Sequence, residues 1–175
     1  MDLPQGLVPF IAVDMPVYRI LLAARSDKVL DGVSHAEGRF HHTGQTAIYA
    51  ATSPEAAPIA MDIALKRSTA ARVIVPLHLT STRMVDLGNE DLCRALRIDP
   101  AWQSAPWAEE RSAGRQATTW RVSDAVRKSG ADGVIYRLRR APDKVLIALF
   151  GWNRPGRADL RIAGESAAWS PPSRD

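Results

Sequence analysis

Two arginines and a tyrosine in the first third of the chain are the residues whose types and spacing suit chemistry best. They stand in Tyr18-Arg19, in Gly38-Arg39-Phe40 and in Ile48-Tyr49-Ala50-Ala51, which runs into Ser53-Pro54-Glu55. A guanidinium pairs with phosphate through two parallel N–H groups, and a strand-borne tyrosine offers a flat face to a ring. Arg19 shares a strand face with Val17 and Leu21, an odd position for a charge unless it lines a pocket. From residue types alone, surface arginines and a core tyrosine are the competing account.

Other reactive residues point to less. His41 and His42 follow His35, but no carboxylate or cysteine lies near them at ligand spacing. On a strand, two adjacent histidines would face opposite ways, so no metal is expected. His78 alternates within an apolar strand and reads as a satisfied core histidine. Cys93 lies in Asp91-Leu-Cys-Arg-Ala-Leu, on the apolar face of a helix, and reads as a small buried hydrophobe. No serine occupies a nucleophile elbow, and no glycine-rich phosphate loop is present. If the chain binds a nucleotide, side chains rather than a glycine loop must hold its phosphates.

The elements that would position these residues follow from apolar alternation. Strands are expected over residues 17–22, 46–51, 72–80, 83–87, 134–136 and 144–150. A helix should open at Ser53-Pro54-Glu55, with Ile59 and Ile63 buried and Pro58 bending it or marking its true start. Asn89 could cap a second helix. Residues 99–115 read as loop with one helical turn, and Gln116 to Lys128 as a helix with Trp120, Ala125 and Val126 inward and Gly130 as its stop. Arg137, Arg139 and Arg140 fall in the connection between the last two strands. This order predicts an α+β fold on a mixed, mainly antiparallel sheet with flanking helices. A single domain over 1–175 is expected, with its core at about 17–163 and a mobile tail over 164–175.

Hydrophobic residues make up 46% and charged residues 24%, which fits a globular chain and not a disordered one. One cysteine excludes an internal disulfide and suits a reducing compartment. No apolar run suits a membrane span, and the acidic, proline-containing start lacks the features of a signal peptide, so a cytoplasmic protein is expected. The net charge of +4 suits a phosphorylated small molecule at least as well as nucleic acid, or simply a solvated basic surface. A non-catalytic nucleic-acid-binding module is the rival from another class, motivated by Arg137, Arg139, Arg140 and Lys144.

Gly38-Arg39-Phe40-His41, the Thr43-Gly44 turn, the strand through Tyr49 and the opening Ser53-Pro54-Glu55 together resemble the RES-domain family. Tyr18-Arg19 upstream, Gly130 to Tyr136, and Val145 to Phe150 extend the resemblance over about residues 17 to 152. It implies an ADP-ribosyltransferase-like fold and the toxin of a bacterial toxin–antitoxin pair. It further implies consumption of NAD⁺ as substrate, by transfer of ADP-ribose to a protein or by glycohydrolase or phosphorylase chemistry. Carried over, Arg19 and Arg39 would hold the pyrophosphate and ribose region, and Tyr49 would stack near the nicotinamide. His42 would orient the acceptor or contact the adenosine phosphate, or else be a surface histidine. The family's helix glutamate is replaced by Ile59-Ala60-Met61-Asp62, which leaves Asp62 as the catalytic acid in reach. Glu55 is more simply a helix-dipole residue. The family's late-strand serine has no counterpart in Tyr136-Arg137-Leu138-Arg139. The implied partner is a cognate antitoxin, a small helix-turn-helix protein that covers the pocket. Neither a membrane nor nucleic acid is an expected partner, except through the antitoxin.

Overall fold

The computed structural model describes residues 9–61 and 69–172. Seven strands form one sheet: β1 (Ile11–Leu22), β2 (Ile48–Ala51), β3 (Arg72–Asp86), β4 (Gly133–Leu138), β5 (Ala141–Leu149), β6 (Asp159–Ile162) and β7 (Ala167–Trp169). All pairings are antiparallel except β3 with β4, so the sheet is mixed and mainly antiparallel. That parallel pair needs a long crossover, and residues 87–132 supply it with α2 (Glu90–Ala95), α3 (Trp107–Ser112) and α4 (Thr118–Ser129). Among the described residues one further α-helix, α1 (Ala57–Ala60), follows β2.

The pairings close a circuit from β1 through β2, β5, β4 and β3 back to β1. Alternation within it sends Ile48 and Ala50 into one apolar cluster with Leu77, Leu79, Met84, Ile147 and Leu160. Tyr49 and Ala51 go the other way, toward Leu92, Val122 and Val126 of the helices. Strand β2 is therefore buried on both faces, as its unbroken apolar run requires.

Several expectations change here. The strands expected at 72–80 and 83–87 are one, because Ser81 and Thr82 continue the extended backbone. Ser81 is buried, and its Oγ donates to Asp132 Oδ2 at 2.7 Å. β1 begins at Ile11 rather than Val17. Pro58 sits at the start of a four-residue α1, so Ser53-Pro54-Glu55 form a turn ahead of the helix. Ser53 Oγ still accepts from Ala56 N–H at 3.2 Å. The segment after Gly164, expected to be mobile, contains β7, which pairs Trp169 with Arg72. His78 is not in the core: its Nε2 meets Asp14 at the surface.

Other readings hold. Asn89 Oδ1 caps α2 by accepting from Leu92 N–H at 3.0 Å. Gly130 ends α4 at φ 83°, a left-handed conformation that glycine adopts freely. Cys93 is fully buried on α2; its Sγ lies 3.5 Å from Leu87 O, and burial pushes the thiol pKa up. Among the described residues no helix is long and apolar enough to cross a membrane.

Candidate functional site

β1 and β2 pair at one position, Tyr18 with Ala51. Continuing that register would set Ile20 against Tyr49, but the strands diverge and a cavity of about 740 Å³ opens where pairing stops. Its wall includes Arg19 to Leu22 of β1, Tyr49 of β2, Ile59 and Ala60 of α1 with Met61 just after it, residues 32–39, Trp107 and Tyr136. The volume falls within the range of about 300–1,000 Å³ typical of small-molecule sites.

The cavity brings together three of the expected residues, Arg19, Arg39 and Tyr49. Arg19, only 8% exposed, donates through Nη1 to the carbonyls of Val29 and Asp31. Burial pulls its pKa down to about 10, against the attraction of Asp31 and with repulsion from Arg25. Arg39 Nη1 donates to Gln103 O and Ala105 O, each at 3.0 Å. Burial lowers its pKa too. Among the described residues these bonds use Nη1 alone, so Nη2 and Nε of both arginines keep N–H groups for a ligand.

Tyr49 is held by its hydroxyl. Phe40 N–H donates to it at 2.8 Å, and His41 Nδ1 lies 2.8 Å away on the other side. His41 Nε2 is 3.0 Å from His35 O, which can only accept. His41 must therefore be protonated at Nε2, and the Tyr49 hydroxyl donates to Nδ1. Burial drives the Tyr49 pKa far up, so it stays a neutral phenol. With its hydroxyl committed twice, its ring is the part left to meet a ligand. Gly38 is required beside this pair, since a Cβ there would lie 2.3 Å from His41 Cε1 and 3.1 Å from the Tyr49 hydroxyl oxygen.

Helix α4 clamps the loop that carries Arg39. Trp120 Nε1 donates to Gly38 O at 2.9 Å, Thr119 Oγ1 to Arg39 O, and Arg127 Nη2 to Phe40 O at 3.2 Å. Arg127 also bonds Thr46 O at 2.8 Å, and its guanidinium lies 4.1 Å from the centre of the Phe150 ring. Residue types hinted at this only through Trp120, expected to face inward; the donors from Thr119 and Arg127 had no legible pattern.

His42 does not line the cavity. The two histidines lie in this loop rather than on a strand, with Gly38 and His41 closing it by a bridge. It is His41 that turns to the cavity. His42 stacks on Trp120 with ring centres 4.5 Å apart and bonds Asp124 through Nε2 at 2.9 Å. Asp62 lies outside the described residues, though its neighbour Met61 lines the cavity. Glu55 is exposed and does not line it.

The wall is strongly cationic. Arg19, Arg25, Lys28, Arg39, Arg72 and Arg140 face one described carboxylate, Glu37. Arg111 grips Glu37 with two bonds of 3.0 Å, which hold its carboxyl below the usual range. The expected basic patch is dispersed: Arg137 lies in β4 rather than in the connection and pairs with Asp86 at 3.0 Å, Arg140 turns to the cavity, and Lys144 of β5 lies near Asp143.

A family model described as the RES domain matches residues 16–171. The chain belongs to the RES domain family. This RES domain is also similar to a chain in the crystal structure of the M. tuberculosis MbcT–MbcA toxin–antitoxin complex. The two are 18% identical, with a TM-score of 0.58 over 92% of this chain and 87% of that one. At that identity the likeness speaks for the fold, consistent with an ADP-ribosyltransferase-like architecture. No curated protein matches the chain.

The neutral His41 sets a pH dependence on the stability of this RES domain. Burial, more than the nearby Arg127 charge, depresses its pKa below the ordinary 6.5. As pH falls from 6.5, the unfolded chain takes up this proton before the folded one does. The stability that His41 contributes is thus complete above pH 6.5 and declines until the lower folded pKa is passed. Urea denaturation from about pH 7.5 to about pH 5 should show wild type losing more stability than His41→Gln. Parallel losses in the two proteins would refute this.

Proposed function

We propose that this chain is the toxin of a toxin–antitoxin pair, which cleaves NAD⁺ at the nicotinamide–ribose bond and passes ADP-ribose to a protein acceptor. The observation that carries the reading is the convergence of Arg19, Arg39 and Tyr49 on one cationic cavity. A dinucleotide fits such a site: its pyrophosphate meets guanidinium N–H groups, and its nicotinamide lies on the tyrosine ring. Family membership and the fold shared with a toxin–antitoxin complex support the same reading.

Breaking the glycosidic bond builds positive charge on the ribose, an oxocarbenium-like state. In this scheme the arginines anchor the pyrophosphate, and Tyr49, fixed by His41 and Phe40, orients the ring. Asp62, next along the chain from the cavity-lining Met61, supplies the carboxylate that steadies the cation. A cationic mouth also suits an antitoxin that covers it with acidic side chains.

Purified protein incubated with NAD⁺ should release nicotinamide and label a protein acceptor with ADP-ribose. Release without labelling assigns glycohydrolase or phosphorylase chemistry that depletes NAD⁺. No release at all defeats the catalytic reading.

A further inference from the structure

The cavity holds more positive charge than one pyrophosphate uses, and three of its cations come from two segments that meet. Leu22 stands in register with Arg72, and Ala23 N–H donates to Ala71 O at 2.9 Å. The 3₁₀ segment Ala23–Lys28 and the start of β3 therefore meet, and that junction brings Arg25, Lys28 and Arg72 to the wall. Arg39 reaches the wall from another segment, fixed to the carbonyls of Gln103 and Ala105. Arg25 makes one long bond, 3.4 Å to Ser34 Oγ. Arg72 is only 8% exposed, and its Nε is buried with no hydrogen-bond partner among the described residues. A guanidinium withdrawn from water without an opposing charge is disfavoured until an anion joins it.

We infer that Arg72, with Arg25 and Lys28, forms a second phosphate subsite that takes a phosphomonoester carried by the dinucleotide, so that NADP⁺ is bound in preference to NAD⁺. The inference rests on the dinucleotide reading above. With nicotinamide on Tyr49 and pyrophosphate held by Arg19 and Arg39, the remaining ribose continues along the wall, and its 2′-oxygen is where the added phosphate sits. A monoester dianion suits a buried guanidinium with two exposed cations on the same wall better than a second neutral ribose would.

Calorimetric titration of the full chain with each dinucleotide tests this. NADP⁺ should bind about tenfold or more tightly than NAD⁺ in wild type, the scale expected for added charge-assisted hydrogen bonds. Arg72→Gln should bring the ratio of the two affinities toward one, and so should the surface pair Arg25→Gln with Lys28→Gln, should Arg72→Gln not fold. Equal affinities in wild type overturn the subsite while leaving the dinucleotide reading intact. Inorganic phosphate that tightens NAD⁺ binding, with no advantage for NADP⁺, assigns these cations to a free anion and overturns it as well. Binding of neither dinucleotide removes the reading on which it stands.

Discussion

Replacing Arg39 with alanine lowers nicotinamide release from NAD⁺ by about 100-fold or more, the scale seen when a group that positions or stabilises the reacting charge is lost. Arg39 does two things at once. Its Nη1 ties residues 103–105 to the cavity wall, and its remaining N–H groups are free to grip a phosphate. Arg39→Lys separates the two. An ammonium restores the charge but not the planar fork, so it should recover part of the lost rate, within about tenfold of wild type. Steady-state release measured against NAD⁺ concentration is the assay. An alanine variant as fast as wild type would remove Arg39 from the site and leave it a structural tie.

Asp132→Asn is expected to be the most destabilising single change outside the cavity, at about 3 kcal/mol. The carboxylate is buried with only 3% of its side chain exposed, 3.1 Å from Arg157 Nε and 3.7 Å from Arg83 Nη2. Its Oδ2 accepts from Ser81, and its backbone carbonyl accepts from the N–H groups of Phe150 and Gly151. One residue thus joins β3, the start of β4 and the exit from β5. The amide removes the charge opposite Arg157, which remains tied to Ala131 O at 2.9 Å and is left unneutralised. Urea denaturation at neutral pH checks it, and a loss below about 1 kcal/mol would mean that water already screens the pair.

The fold was legible where local pattern and tertiary packing agree. Asn89, Gly130 and the apolar run through β2 are such places, because a cap, a left-handed stop and a doubly buried strand each have a local signature. It was not legible where a long-range partner decides. Ser81 looked like an interruption of β3 until Asp132, distant in sequence, accepted its hydroxyl. His41 and His42 were assigned faces by strand alternation, yet donors from α4 hold that stretch as a loop, so alternation had nothing to act on. There His41 positions Tyr49, and His42 packs on Trp120. His78 fell on the outward side of β3, where Asp14 waits across the pair. Of the site itself, Arg19, Arg39 and Tyr49 could be read as a set, while Arg72 could not, since its burial depends on where β3 begins.

The lone thiol gives the molecule a built-in clock. Cys93 is sealed under α2 and its proton is held more tightly than in water, so alkylating reagents must wait for the domain to open. Each molecule can be marked once, and only while unfolded. The pace of that marking therefore ranks every variant by how often it opens, and tells a damaged fold from a silenced site within the same sample.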